Sequence, residues 1–390
     1  MLSMLRTRGM PVAMIMGFAA FGGWSLLLPV VPLAIFQAGG SDVLAGASTS
    51  IFMATTVATQ LVTPRLLRAW GYRAVLAVGC VLLGAPALAF LLSTAAVPAL
   101  VISAVRGVGF GMLSVAGSAL VAELAPRKLL GRATGAQGIA IATGQMIALP
   151  VGLALFGRGH QSLVFVLGAV VPLLAVAAVA ALPTVRPAAR SDARREPLPL
   201  RAVLVPCLAM VAVASVYGGV SSLLPIAVED RAAIAGVALA FVSGAMLVGR
   251  YGAGILVDRI GVGRIMAPAL ACVAVGAAVY AAAVAGDGHV TLLLLGSALF
   301  GAGFGAVQNE ALVTLFQSAG PVRLGAASAA WNISYDAGTG IGALALGVVA
   351  GAAGYPAVFV VGAAAIAVVV PLALAWRIPV AVPRADRVES

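Results

Sequence analysis

Apolar residues run along this chain in long blocks separated by short polar breaks. Twelve blocks are read, near 10–31, 45–64, 74–93, 99–123, 131–156, 162–182, 202–227, 234–257, 265–285, 291–316, 325–353 and 357–376. Each holds about 20 residues or more, which at about 1.5 Å per residue crosses a hydrocarbon layer of about 30 Å. The pattern predicts an all-α membrane protein of twelve transmembrane helices. The break between the third and fourth blocks rests on a short turn at 94–98 with Pro98. The first block, Met10 to Val31, follows Arg6 and Arg8. A signal peptide has a shorter apolar core and a small-residue cleavage site, and this run is long enough to span, so it reads as the first span.

Composition agrees with that reading. Of 390 residues, 62% are hydrophobic and 9% charged, too few charges to cover a soluble fold of this length. The formal net charge of +11 does not point to nucleic acid, because the basic residues sit in short loops. One set of loops holds Arg6, Arg8, Arg65, Arg68, Arg73, Arg127, Lys128, Arg132, Arg186, Arg190, Arg194, Arg195, Arg201, Arg259, Arg264, Arg323, Arg377, Arg384 and Arg387; the opposite set holds Arg158 and Arg231. Nineteen against two is a positive-inside bias. It predicts a multi-pass cell-membrane protein with both termini cytoplasmic. Abundant Ala, Gly, Val and Arg beside a single lysine point to a GC-rich bacterial genome, and so to a bacterial inner membrane.

The chain repeats itself. Phe21 to Pro29 matches Tyr217 to Pro225 at six of nine positions, offset 196. Gly107 to Gly144 matches Gly301 to Gly338 at eleven of thirty-eight without a gap, offset 194, and Gly71 matches Gly261, offset 190. Near-equal offsets close to half the chain mean duplication, and six helices per half make the repeats parallel about an axis along the membrane normal. The segment Pro183 to Pro199 is polar, basic and proline-rich, the composition of a tether. The expected organisation is an N-terminal half at 1–182, a cytoplasmic linker at 183–201 and a C-terminal half at 202–390. Repeats of this kind mark transporters, with the site near the midplane between halves.

Candidate chemistry is sparse. Cys80, Cys207 and Cys272 lie far apart inside apolar runs, and His160 and His289 in external loops lack ligand-type neighbours, so no metal site and no cofactor is expected. The absence of G-x-x-x-x-G-K-S/T disfavours an ATP-driven pump, and no His/Asp/Glu or Ser/His cluster at one depth supports an enzyme. Three ionisable residues are read well inside the spans: Arg106, Glu310 and Asp336. Asp336 is nearest the midplane, where a carboxylate costs about 2.5–3.5 kcal/mol on insertion scales. Asn332, Asp336 and Thr339 are spaced to share one helix face, while Gly338, Gly340 and Gly342 admit a close neighbour. Asp336 is read as a proton-coupling group, the alternative being a structural carboxylate satisfied by an Arg or water. Asn332, Tyr335, Phe21, Trp24, Ser25, Tyr217, Ser221, Ser222, Gln308 and Asn309 are cavity-wall candidates. Aromatic groups with few hydrogen-bonding partners suit an amphipathic organic solute; for Phe21 and Trp24, simple packing is the alternative.

These residues resemble the major facilitator superfamily. Its loop signature, roughly G-x-x-x-D-R-x-G-x-x-R, is matched by Gly254-Ile255-Leu256-Val257-Asp258-Arg259-Ile260-Gly261-Val262-Gly263-Arg264. In the first half Pro64 replaces the first Gly and Arg68 takes the Asp position. The stretch Arg106-Gly107-Val108-Gly109-Phe110-Gly111 resembles helix four of bacterial drug–proton antiporters of the twelve-helix type, whose fifth helix carries a Gly-Pro pair that is missing among Gly135, Gly138, Gly144, Pro150 and Gly152. The resemblance implies helices 1, 4, 7 and 10 around a cavity, 2, 5, 8 and 11 flanking it, and a cytoplasmic gate at Asp258, Arg259, Gly261 and Arg264. It implies a monomeric secondary transporter whose partners are a small molecule, protons and the lipid bilayer. Proton-coupled efflux of a small organic compound or drug is the leading expectation. A proton symporter, or a facilitated uptake carrier for a metabolite, is the alternative.

Overall fold

A computed structural model of the chain describes residues 9–125, 130–183, 200–229, 232–286, 289–319 and 324–376. Among these residues the chain is helical throughout. The elements are α1 (Met10–Leu27), α2 (Val30–Gln37), α3 (Asp42–Gly84), a 3-10 segment (Ala85–Leu91), α4 (Ala96–Leu124), α5 (Leu130–Gly157), α6 (Gln161–Ala180), α7 (Leu200–Ala227), α8 (Ala232–Ile260), α9 (Met266–Ala285), α10 (Val290–Ala319), α11 (Leu324–Ala353) and α12 (Tyr355–Ala375).

These elements make twelve spans. Pro29 separates α1 from α2, which together form the first span, whereas Pro225 is carried inside α7. α3 and the 3-10 segment form the second and third spans. Their 50-residue apolar stretch is broken at Gly71, whose φ of 75° and ψ of 171° fall where side chains with a Cβ are strained. Gly261, its counterpart by sequence offset, has φ 87° and ends the eighth span in the same way. α4 to α12 are the fourth to twelfth spans. The turn expected at 94–98 is shorter than that, since α4 begins at Ala96 and takes Pro98 into its first turn. The second span starts with Ser41 as N-cap, its Oγ accepting from the Leu44 N–H at 3.3 Å, and Asp42 facing the positive helix end.

The outside of the bundle is apolar: Leu92, Val97, Val248 and Val368 are each more than two-thirds exposed. A belt of such residues belongs in lipid. Polar side chains are instead buried inside, among them Gln60, Arg106, Gln308, Glu310 and Asp336.

Glycines explain how closely the spans pack, and they do so twice. A Cβ on Gly107, Gly109 or Gly111 of α4 would strike Phe52, Leu83 and Thr56 of α3. A Cβ on Gly301, Gly303 or Gly305 of α10 would strike Val242 of α8, Val273 of α9 and Met246 of α8. Gly144 of α5 rests on Phe18 of α1, and Gly338 of α11 on Val211 and Ala214 of α7. Each C-terminal contact is the N-terminal contact remade at the repeat offset. Of the linker expected at 183–201, residues 184–199 lie outside the described residues, as do Arg6 and Arg8.

Contacts between the halves gather toward the end that carries the 38–41 and 158–160 turns. There the second span meets the eleventh and the fifth meets the eighth. Gly46 abuts the Ala343 carbonyl, Gly347 faces the Asp42 carbonyl, and Gly236 lies against Pro150 and Leu153. The Thr49 and Ser222 hydroxyls are 2.9 Å apart, and the Tyr355 hydroxyl donates to Asp42 at 2.8 Å.

Candidate functional site

α11 is wedged between the two halves because small residues line two of its sides. Gly338 and Gly342 let it approach α7 at Val211 and Ser215, within its own half. Gly340 turns to Ser50 and Met53 of α3, in the other half. Asp336 lies twelve residues from Leu324, about 18 Å along a 30-residue helix, so it sits within about 5 Å of the helix centre. Its side chain is 5% exposed. Its Oδ2 accepts a 2.6 Å hydrogen bond from Gln60 Nε2 of the second span, and the same amide group donates to Ser114 Oγ of α4 at 3.2 Å.

The neighbours expected for Asp336 on its own helix are occupied elsewhere. The Asn332 amide donates to the Ser328 carbonyl at 2.8 Å, and the Thr339 hydroxyl donates to the Tyr335 carbonyl at 2.9 Å. Sharing a helix face did not make them partners, because each could reach its own helix's carbonyl one turn back. The partner came from a residue 276 positions away.

Glu310 has a different partner from Asp336. Its Oε1 accepts from the Gly263 backbone N–H, in the loop after α8, and its Oε2 is buried without a partner. Asn309 sits beside Gly254 of α8, with its amide nitrogen also unpartnered. The structure therefore places these two residues against the loop signature rather than with the midspan carboxylate. In that loop Gly261 and Gly263 hold left-handed φ values of 87° and 88°, and the Arg259 and Arg264 side chains are exposed. The Asp258 side chain lies outside the described residues. In the first half the corresponding loop is tied differently: Arg73 Nε donates to the Leu182 carbonyl at 2.9 Å, joined by Nη2.

Two aromatic clusters line the interior, one per half. In the N-terminal half Phe110 of α4 touches Phe21 and Trp24 of α1, each at 4.9 Å between ring centroids, and Phe52 at 5.6 Å. Arg106 lies over Phe52 at 5.8 Å, its Nε donating to the Leu83 carbonyl at 3.0 Å and its Nη2 facing the Gly23 carbonyl at 3.5 Å. A narrow cleft beside it is lined by Trp24, Ser48, Thr49, Phe52 and Ser103. In the C-terminal half Phe304, the repeat counterpart of Phe110, touches Tyr217 at 5.2 Å and stacks on Tyr335 at 5.9 Å; Trp331 continues the stack at 6.1 Å. Gln308 accepts the Trp331 indole N–H at its carbonyl, 3.1 Å away. Ser25 and Ser221 are buried within their own halves, Ser25 Oγ without a partner and Ser221 donating to Gly218.

A further charged residue inside the spans is absent from the candidates read from the sequence. Arg250 of α8 lies with its guanidinium carbon 5.7 Å from the Trp331 ring centroid and its Nη1 3.4 Å from Gln308 Oε1. It is a fourth ionisable group inside the bundle. Its signal was present: an arginine inside the apolar block 234–257, eight residues ahead of Asp258. Sorting basic residues by loop leaves Arg106 and Arg250 as the two that belong to no loop.

Two six-helix halves, joined most closely at one end around an interior of aromatic and charged side chains, define a polytopic membrane carrier. The family model for the Major Facilitator Superfamily matches residues 13–335, and the chain belongs to that family, which makes it a membrane transporter. Solved structures agree on the fold. The nucleoside transporter NupG, in a single-substitution mutant form, is 14% identical, with a TM-score of 0.78 over 94% of this chain and 99% of that one. A POT family transporter in complex with 5-aminolevulinic acid is 13% identical, with a TM-score of 0.79 over 94% and 96%. A D-xylose–proton symporter is 15% identical, with a TM-score of 0.76 over 94% and 97%. Among curated proteins, none matches this sequence.

Proposed function

We propose that this chain is a proton-coupled secondary transporter of a small organic solute, with Asp336 as the group that loads and releases the proton. The observation that carries the reading is the Gln60–Asp336 hydrogen bond, a buried carboxylate near mid-span held by the opposite half. An ionisable group at that depth is costly to keep and defaults to function. Because Gln60 and Asp336 belong to different halves, any rocking of one half on the other remakes the carboxylate's surroundings. That is the coupling a proton-driven carrier needs: affinity for the proton that depends on which side the cavity faces. The positive-inside bias orients the tightly packed end outward in this reading, with both termini in the cytoplasm.

Export of an amphipathic compound, of the drug–proton antiport type, is the first reading of direction. It is supported by the helix-four stretch at Arg106 and by the aromatic walls. Proton symport of a metabolite is the second, supported by the likeness to the D-xylose–proton symporter. Inside-out vesicles separate them. Adding the solute outside such vesicles should alkalinise the lumen for an exporter, since protons leave as solute enters. It should acidify the lumen for a symporter running in reverse, and leave lumen pH unchanged for a uniporter. An unchanged lumen during solute entry would end the proton-coupled reading.

A further inference from the structure

We propose that Arg250 is an anion-recognition residue, and that the transported solute carries a carboxylate or similar acidic group beside an apolar or aromatic body. The proposal rests on the reading of this chain as a transporter and names the chemical class of its solute.

Arg250 is an unbalanced charge. Among the described residues no carboxylate lies within ion-pair distance of Arg250; its one hydrogen bond is to the neutral Gln308 Oε1, at a long 3.4 Å, with Tyr335 close enough to act on it electrostatically. A guanidinium offers five N–H donors, so most are left over. The two carboxylates inside the spans are bound elsewhere, Asp336 to Gln60 and Glu310 through its Oε1 to Gly263. The face of Trp331 offsets part of the cost of keeping this cation among helices, but a ring face does not use the donor fork. That fork matches the two oxygens of a carboxylate.

Gly236 of α8 packs on Pro150 and Leu153 of the N-terminal half. Arg250 is fourteen residues further along α8, which at about 100° per residue returns it to within roughly 40° of the same face. It therefore stands on the side of α8 that turns toward the other half, below the zone where the halves touch. Beside it runs the Trp331–Tyr335–Phe304 stack, in which Trp331 is fixed by its N–H bond to Gln308. A cation with free donors at the edge of a rigid aromatic wall recognises an organic acid with a flat or apolar body.

Arg106 does not offer the same site. Its Nε–H and one Nη2 already face two backbone carbonyls, and it is 2% exposed.

Paired probes test this directly: benzoate against benzamide, salicylate against salicylamide, and indole-3-acetate against indole-3-acetamide. Thermal stabilisation of the purified full-length protein is measured without any proton gradient, so the result is independent of coupling through Asp336. At least one acid should stabilise the wild type while its amide does not. Arg250→Gln should weaken that acid about 10- to 100-fold, the loss expected for charge-assisted hydrogen bonds. Arg250→Lys, which keeps the charge but not the fork, should weaken it less. Melting of each variant without ligand reports folding; should Arg250→Gln fail to fold, the same measurement on Arg250→Lys decides. A wild type that no acid stabilises, or that amides stabilise equally, would overturn the proposal, as would an acid preference surviving unchanged in a folded Arg250 variant.

Discussion

Gln60 Nε2 and Asp336 Oδ2 lie 2.6 Å apart, and the bond between them joins the two halves of the transporter near mid-span. Gln60 also donates to Ser114, while its own carbonyl oxygen is buried without a partner. The amide is therefore a connector between α4 and α11 rather than part of a closed network. Gln60→Leu removes the donor and leaves the carboxylate buried alone. Leaving such a group unsatisfied costs on the order of 1–3 kcal/mol. The expected outcome is a lower melting temperature, together with weaker closure of the packed end. A cysteine pair replacing Thr49 and Ser222, in a background without Cys80, Cys207 and Cys272, should cross-link less in Gln60→Leu than in the parent. Equal cross-linking would show that this bond does not hold the halves together.

The glycines of α11 and its neighbours separate stability from conformational balance. Gly342 packs against Ser215 inside the C-terminal half, whereas Gly46 packs against Ala343 across the halves. Gly342→Val should lower stability outright, because backbone lies where the new methyl groups must go. Gly46→Val should leave each half intact but block closure of the packed end. The melting temperature should fall more for Gly342→Val. The Thr49/Ser222 cysteine cross-link should fall more for Gly46→Val.

How far the sequence could be read follows from the same residues. Span number, the reversal at Gly71 and its partner Gly261, and the repeated packing glycines were legible because each is a local demand: length, a left-handed φ, room for a neighbour. Asp336 stood out because one carboxylate in an apolar block needs no alignment to be noticed. Its partner did not, since Gln60 is 276 residues away and neutral amides inside spans carry no signal of their own. Asn332 was favoured as a neighbour by helical spacing, yet spacing does not say whether a side chain will prefer its own helix's carbonyls. Arg250 carries the signal of any cation inside an apolar block, in the eighth span, and belongs to no loop.

Glu310 serves as a control for the coupling site. Its Oε1 accepts from the Gly263 N–H, which ties α10 to the loop after α8. Glu310→Gln keeps an acceptor there and should preserve both turnover and proton coupling. Glu310→Ala should slow turnover, by about 5- to 30-fold if it removes one charge-assisted hydrogen bond of roughly 1–2 kcal/mol. Steady-state uptake into vesicles measures both. Loss of proton coupling in Glu310→Gln would transfer the proton role from Asp336 to Glu310.

Orientation has its own measurement. Single cysteines placed in the 184–199 segment and in the 158–160 turn should label from opposite faces of the membrane, the first from the cytoplasm and the second from outside. Labelling of both from one face would contradict the twelve-span arrangement.

The most direct test of the account is proton flux in Asp336→Asn. Asparagine keeps the volume and an oxygen that can still accept from Gln60, so the fold and the bond between halves should persist. What it removes is titration. In reconstituted vesicles the wild type should shift lumen pH when a transported solute is added. Asp336→Asn should exchange the same solute down its own gradient but shift lumen pH not at all and accumulate nothing against a gradient. Wild-type proton flux in a folded, exchanging Asp336→Asn protein would contradict the account.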